Sequence, residues 1–504
     1  PYSACAAKGD FHIKPENVCL SVALPTLGEY SSVVVQPAFY YNSVDDAETP
    51  LGRHWTASFY ERLVPVPDGY LIRVLPCGDR VAYKYDPESG FYKPCDCYRV
   101  TEEVRISEFG YIWRDLKTGS TKVFGYDGWL RRISDANGNT CFIEPDMSTG
   151  YPERIVFEDG RAWVLGYDGV GRLVELYAEY QDGDEVEEIE GTRVECTYDD
   201  EGRLVGVGLR DENGNIVGSW RFYCDGAGRL ISASQFVSED NWRVWNIEES
   251  EGDGLRIARL TDPEGNDTYY YTDMAEGVFT VEDESGNRTE MCYVCRGRLI
   301  VQRTDAEGHQ ENWAWSDDYR RLLYTDQRNY ATESQWDTNF NLTSRVRYDG
   351  EAAERVRQEW EYDADDNCTA AYGPWDPRSE GKEDFVVRYD WGDEPWRHNL
   401  KKVERKIDAT RWTCTEYEHN ERGQVVEVKV WTDDENWRRR VYEYYENTDP
   451  EAGALYGMLS RERIDMQTGD DDDIVTQHNT YPVSYTHLRA HETSLHLVCR
   501  LLLE

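Results

Sequence analysis

Residues 167–173 read Tyr167-Asp168-Gly169-Val170-Gly171-Arg172-Leu173, and the pattern returns as Tyr198-Asp199 with Gly202-Arg203-Leu204. A third copy, Tyr223 and Asp225 with Gly228-Arg229-Leu230, is one residue longer; looser copies stand at Tyr293 with Gly297-Arg298-Leu299 and at Tyr417 with Gly423. A second unit, Asp-x-x-Gly-Asn, alternates with the first at Asp135, Asp211, Asp262 and Asp283, and Asp305 with Gly308 is a further copy that carries His309 in place of Asn. Asp262, Asp283 and Asp305 follow one another 21 and 22 residues apart. Such a period holds two strands of about six to eight residues and two turns, one β-hairpin with its connection. In both units the Asp carboxylate can close a local turn, and the Gly three residues on can take a positive φ. Between turns the chain is strand-like, as in Thr268-Tyr269-Tyr270-Tyr271-Thr272. The expected fold is all-β: one continuous, curved antiparallel sheet of hairpins over residues 116–481, with little helix.

The 504 residues carry 55 Lys+Arg against 98 Asp+Glu, a formal net charge of -43. Binding driven by phosphate attraction is thereby excluded, so neither nucleic acid nor an anionic membrane is an expected partner. No stretch approaches the roughly 18 to 20 consecutive apolar residues of a membrane span. Only 39% of residues are hydrophobic, yet 17 Trp, 36 Tyr and 13 Phe argue against disorder. Aromatics and charges fall on both parities, as in Trp313-Ala314-Trp315 and Trp360-Glu361-Tyr362. A single sheet of this kind has a polar face that must wrap around something or meet water.

The Tyr-Asp-x-x-Gly-Arg-Leu turn at this period resembles the signature of the YD-repeat (Rhs, rearrangement hotspot) superfamily. Upstream, Tyr40-Tyr41-Asn42-Ser43, Pro50-Leu51-Gly52 and Trp55 resemble the segment that leads into the repeats of bacterial Rhs proteins. The resemblance implies a hollow β shell built by the repeats and closed at one end by an amino-terminal β-rich cap. It further implies that the shell encloses a variable carboxy-terminal toxin and that the protein is secreted, displayed at the cell surface or injected by contact. The implied partners are the chain's own core and toxin domain, with secretion machinery or an immunity protein, and carbohydrate in the rival reading of a cell-surface or wall-associated adhesin. On this basis residues 1–18 are an incomplete leader, 19–115 the cap, and 116–481 the repeats. Residues 482–504 are read as translated sequencing adapter, since Pro482 to Thr493 back-translate to such an adapter and the following residues fit the same origin. The sequence departs from the family in its carboxy-terminal part: Asp86-Pro87, Asp262-Pro263, Asp376-Pro377 and Asp449-Pro450 occur, none in the context of the core box where members cut themselves.

Chemistry-bearing residues are scattered. Of 13 cysteines, only Cys95-x-Cys97 and Cys292-x-x-Cys295 are close pairs, and residues three apart in a strand point to opposite faces, so neither zinc nor a disulfide framework is expected. His12, His54, His309, His398, His419 and His478 are isolated, while His487, His491 and His496 belong to the tail. The run Asp470 to Asp473 lacks the spaced ligands of a calcium loop. No cofactor, metal or catalytic constellation is expected, and the chain reads as a non-catalytic scaffold. Trp242, Trp245, Trp313, Trp315, Trp431 and Trp437 are the candidates for stacking on sugar rings, against the reading that they tile the wall through cross-strand pairs.

Overall fold

The computed structural model describes residues 6–8, 11–15, 17–25, 37–95, 101–158, 160–182, 185–210, 215–238, 241–252, 255–294, 299–317, 320–393, 397–431, 437–444, 459–467 and 475–480. Gly297, Arg298, Asp211, Cys97, Cys295, the run 470–473 and the tail 482–504 lie outside them.

Among the described residues the regular structure is strand, with single 3-10 turns at Pro67–Gly69 and Lys382–Asp384. The strands between turns are rich in β-branched and aromatic residues, which fit a pleated surface. From Arg62–Val66 onward they pair antiparallel with their sequence neighbours as far as Leu459–Gln467 and Val475–Thr480. One hairpin departs from this order. Strand Leu173–Asp182 pairs at its far end with Glu185–Glu188, which forms a branch, while Glu175 and Leu176 pair with the next wall strand, Val194–Tyr198. No described pairing joins the last strand to the first, so the sheet is open.

The sheet nevertheless comes round on itself. Asn139 Nδ2 donates to the Arg422 carbonyl at 2.8 Å across a separation of 283 residues. A Cβ built on Gly423 would meet the Asn137 side chain, and one on Gly119 would lie 3.6 Å from the His398 ring. Turns of an early coil therefore rest on turns of a later one, which makes the wall a spiral.

A separate five-stranded antiparallel sheet, Ala6–Lys8, Phe11–Lys14, Asn17–Ala23, Ala38–Asn42 and Trp55–Ala57, lies at the amino-terminal end and is called the cap. The change of sheet falls between residues 57 and 62, whereas the sequence reading begins the repeats at 116. The strands from Arg62–Val66 to Gly110–Asp115 belong to the wall by their pairing.

One face of the wall holds the core. Cross-strand partners Ile143 and Ile155, Ile155 and Trp163, Trp163 and Ala178, Phe222 and Ala233, Ala233 and Trp245, and Phe279 and Met291 share it, all buried. The cap lies against this face, with Trp55 and Phe222 ring centroids 4.6 Å apart and Phe11 and Trp245 6.0 Å apart. The face that carries the core is thus the inner one.

Candidate functional site

The repeated turn is the element from which the wall is built. In the first copy the Asp168 carboxylate accepts from the Val170 and Arg172 amides at 3.0 and 2.9 Å and from Arg172 Nε at 2.7 Å. Gly171 has φ +87°. Asp199 with Arg203 and Asp225 with Arg229 repeat this geometry. The Asp-x-x-Gly-Asn unit is the same turn: Asp262 accepts from the Asn266 amide and from Asn266 Nδ2, which stands where the Arg guanidinium stands elsewhere. Asp262-Pro263-Glu264-Gly265 spells the letters of an Asp-Pro-x-Gly box and forms this ordinary turn, with Gly265 at φ +91°. Burial alone would raise the Asp168 carboxyl, but the Arg172 amide and guanidinium and the Val170 amide hold it below the usual range.

The turn also persists where its glycine is gone. Asp326, Asp337, Asp349 and Asp363 each accept from the amide four residues on, with Asn329, Phe340, Ala352 and Asp366 at φ between +60° and +65°. An L residue in this region carries a cost of about 1 to 2 kcal/mol. Ala352→Gly is accordingly expected to stabilise its hairpin by up to about 1 kcal/mol, read as slower amide exchange in Leu342–Tyr348 and Glu354–Tyr362; unchanged exchange would count against strain at this turn.

The aromatic before the turn ties successive repeats together. Tyr167 Oη donates to the Pro152 carbonyl at 2.6 Å, Tyr198 to Leu173 at 2.7 Å, Tyr362 to Leu342 at 2.9 Å and Tyr444 to Val425 at 2.8 Å. Tryptophan fills the same role through Nε1 at Trp315, Trp336 and Trp391. Tyr and Trp suit it because each carries a donor at the far end of a large apolar ring. Each of these residues follows a register shift in its strand, which re-aims the side chain along the sheet. The third sequence copy is corrected here: the shift falls between Tyr223 and Cys224, Cys224 pairs with Leu230, and Tyr223 is left exposed. At the last copy His419, not Tyr417, follows the shift and pairs with Val425. Tyr362→Phe keeps the ring and removes the donor; a loss of about 1 kcal/mol is expected, visible as faster exchange confined to the strands on either side of residues 342–362.

The leucine that ends the first motifs meets the cap. Leu173, Leu204, Leu230 and Leu299 are buried. The Leu173 amide donates to the Pro50 carbonyl at 2.9 Å, Tyr198 Oη to the same carbonyl at 3.1 Å, and the Leu230 amide to Tyr41 Oη at 2.9 Å. A Cβ on Gly52 would stand 3.2 Å from the Gly202 carbonyl oxygen. The residues that carried the upstream resemblance are the ones that seat the cap on the turns.

At the wall's leading edge lies a buried ionic cluster that sequence reasoning missed. Glu61, 1% exposed, accepts from Arg73 Nε and from Lys122 Nζ, both at 2.6 Å. Arg73 also reaches Glu102 at 3.3 Å and stacks 4.1 Å from the Trp113 ring, and Tyr83 Oη donates to Glu102. Burial pushes the Glu61 carboxyl up, but Lys122 and Arg73 outweigh it and hold it below the ordinary range. Burial lowers Lys122, against the pull of Glu61. Here the Leu63 amide donates to the Gly128 carbonyl and the Leu130 amide to the Glu61 carbonyl, at 2.8 and 3.2 Å. The cluster thus locks the first wall strand to the strands from Tyr70 to Ser134. The sequence signal was a charge inside an apolar strand, Leu71-Ile72-Arg73-Val74.

The remaining candidates resolve by geometry. His309 is not isolated: its Nδ1 lies 3.1 Å from Asp305 Oδ2, and Asp305, Glu307 and His309 cluster at one turn on the surface. His54 and His398 are engaged through Nδ1 with the Asp45 carbonyl and the Asn367 side chain. Burial pushes the Cys196 and Cys368 thiols up to about 12 and Cys224 up to about 11; protonated thiols are weak nucleophiles and poor ligands. Cys292 is half-buried and free. Of the six tryptophans named as candidates for stacking on sugar rings, Trp245 and Trp313 are buried in the core. Arg221 covers Trp242, Lys429 stands 3.9 Å from the Trp431 ring and 4.8 Å from Trp437, and Trp315 is a staple. They tile the wall.

No protein-family model matches the chain, and no curated protein matches it in sequence. Among solved structures, similarity is found to TcdB2-TccC3-Cdc42, at 11% identity and a TM-score of 0.46 over 92% of this chain and 31% of that one. Similarity is also found to TcdB2-TccC3-TEV, at 11% identity and a TM-score of 0.29 over 89% and 27%, and to a porin-like protein from Bacteroides uniformis ATCC 8492, at 9% identity and a TM-score of 0.14 over 66% and 94%. This chain spans about a third of the length of the first of these.

Proposed function

We propose that this chain is a non-catalytic wall segment of a protein shell of the YD-repeat toxin type, whose task is to enclose a polypeptide payload. The observation that carries the reading is the wall itself: an uninterrupted sheet that returns onto its own turns between Asn139 and Arg422 and is seated on a cap through Pro50 and Tyr41. Its recurring side-chain chemistry is spent on holding strands together: turn carboxylates bind their own backbone, staple aromatics bind the preceding repeat, and inner-face aromatics fill the core. A polypeptide kept behind such a wall is held from proteases and from its target, while the wall needs only the stability of its repeats.

The test is protection of a guest. A protease-sensitive domain of neutral net charge fused after residue 504 is expected to survive limited proteolysis at least about tenfold longer than the free domain, because cleavage then requires local opening of the wall. Digestion at the rate of the free domain would refute the enclosure.

A further inference from the structure

The face that buries the core up to Trp313 continues beyond it with a different chemistry. Tracing cross-strand partners from Trp313 leads through Tyr324, Thr332 and Arg347 to Val356. Further along the ladder Trp360 pairs with Ala371, Ala371 with Val387, and Val387 with Arg405. Arg405 pairs with Thr413, Thr415 with Val430, Val430 with Arg438, and Val428 with Arg440. This inner face is apolar and hydroxylic, and its charges are arginines. Arg347, Arg405, Arg438 and Arg440 are exposed; Arg440 lies 3.5 Å from Glu462, which register places on the same face, and Arg347 lies 3.7 Å from the turn carboxylate of Asp326.

The outer face of the same strands is the reverse. Glu333, Glu359, Glu361, Glu404, Glu416 and Glu427 alternate with the inner residues; Lys382 reaches Glu359 at 3.2 Å, Lys402 reaches Glu404 at 2.7 Å and Arg439 reaches Glu427 at 3.7 Å, while Glu333 and Glu416 accept from Tyr348 Oη and Trp431 Nε1. In a chain of net charge -43, most strand carboxylates of this half of the wall lie on one face, while on the other the arginines outnumber them.

We infer that the inner face of the described strands from Arg321–Thr325 to Leu459–Gln467 is a docking surface for an acidic polypeptide, the enclosed guest, which it holds through arginine–carboxylate pairs over a valine, threonine and tyrosine floor. This rests on the enclosure proposed above and adds the chemistry of the occupant. Charge complementarity selects the partner. Arginine's planar fork pairs with carboxylates bidentately at little ordering cost. A basic guest meets repulsion on this face and attraction on the outside, so the same asymmetry rejects it.

The experiment uses the full chain with two guests of equal length fused after residue 504, identical except that one carries glutamates where the other carries lysines. The acidic guest is expected to resist proteolysis about tenfold longer than the basic one, the effect of a few such pairs. The triple variant Arg405→Ser, Arg438→Ser, Arg440→Ser should remove that difference. All three side chains are exposed, so the variant keeps the amide-exchange pattern of the wall. Equal protection of both guests overturns the inference and leaves enclosure standing. Protection of neither, together with failure of the neutral guest, overturns both. In a second readout, a fluorescein-labelled acidic peptide added in excess should shorten the survival of the acidic guest by competing for the face; no change would also count against it.

Discussion

Gly128→Ala is expected to lower the stability of the leading seam by about 3 kcal/mol, the sum of a strained left-handed alanine and a displaced backbone contact. Gly128 has φ +85°, and a Cβ on it would sit 2.1 Å from the Leu63 carbonyl oxygen. Backbone cannot yield there without breaking the bond from the Leu63 amide to the Gly128 carbonyl, so the first wall strand must separate from the turn at residues 125–129. Gly171→Ala supplies the calibration: φ is +87°, yet nothing lies within 4 Å of the added Cβ, and the cost should stay near about 1 kcal/mol. Native-state amide exchange of Arg62–Val66 measures the first and that of Leu173–Asp182 the second; equal effects at both sites would show that the seam contact is unimportant.

Glu61→Gln should cost more, about 3 to 5 kcal/mol, because it leaves buried cations without their anion. Glu61→Leu combined with Lys122→Leu removes both charges and is expected to recover much of that loss, since apolar replacements of a buried pair are often near neutral. The pH dependence follows in sign. The Glu61 carboxyl is held below its ordinary 4.5, so its contribution is fully present above that value and is lost as the pH falls through the lower, folded one. The depressed turn carboxylates Asp168, Asp199 and Asp225 act in the same direction. The wall should therefore stay intact at pH 5 and loosen only in stronger acid. Amide exchange or near-ultraviolet dichroism followed from pH 6 to 2 checks this; loosening already at pH 5 would contradict it.

What the sequence disclosed, and what it concealed, has a common physical origin. The Asp168 turn was legible because all its bonds close within five residues. The turns at Asp337 and Asp349 were not, because Phe340 and Ala352 occupy the position where glycine is the usual signal. The polarity of the strands looked untidy for a related reason. A register shift precedes Tyr198, Trp315, Trp336 and Tyr362, and one extra residue flips inward to outward. Only the observed register restores the alternation that sorts Arg405 and Arg438 from Glu404 and Glu427. The Glu61 cluster draws Arg73, Tyr83, Glu102, Trp113 and Lys122 from five strands spread over about fifty residues of chain, and no local pattern encodes such a meeting.

The contact between Asn139 and Arg422 bears on the order in which the protein is made. Apart from such stitches, the cap contacts and the Glu185–Glu188 branch, the described wall strands pair with their neighbours in sequence, so the wall has the locality of contact that allows fast folding despite being all-β. Strands can add one by one as a nascent chain emerges, each hairpin templated by the edge already formed. The stitch must wait for the residues around 422 to arrive 283 positions later. Until then the growing coil is a ribbon with a free rim, and a guest placed after residue 504 meets it only when the stitch is already able to close.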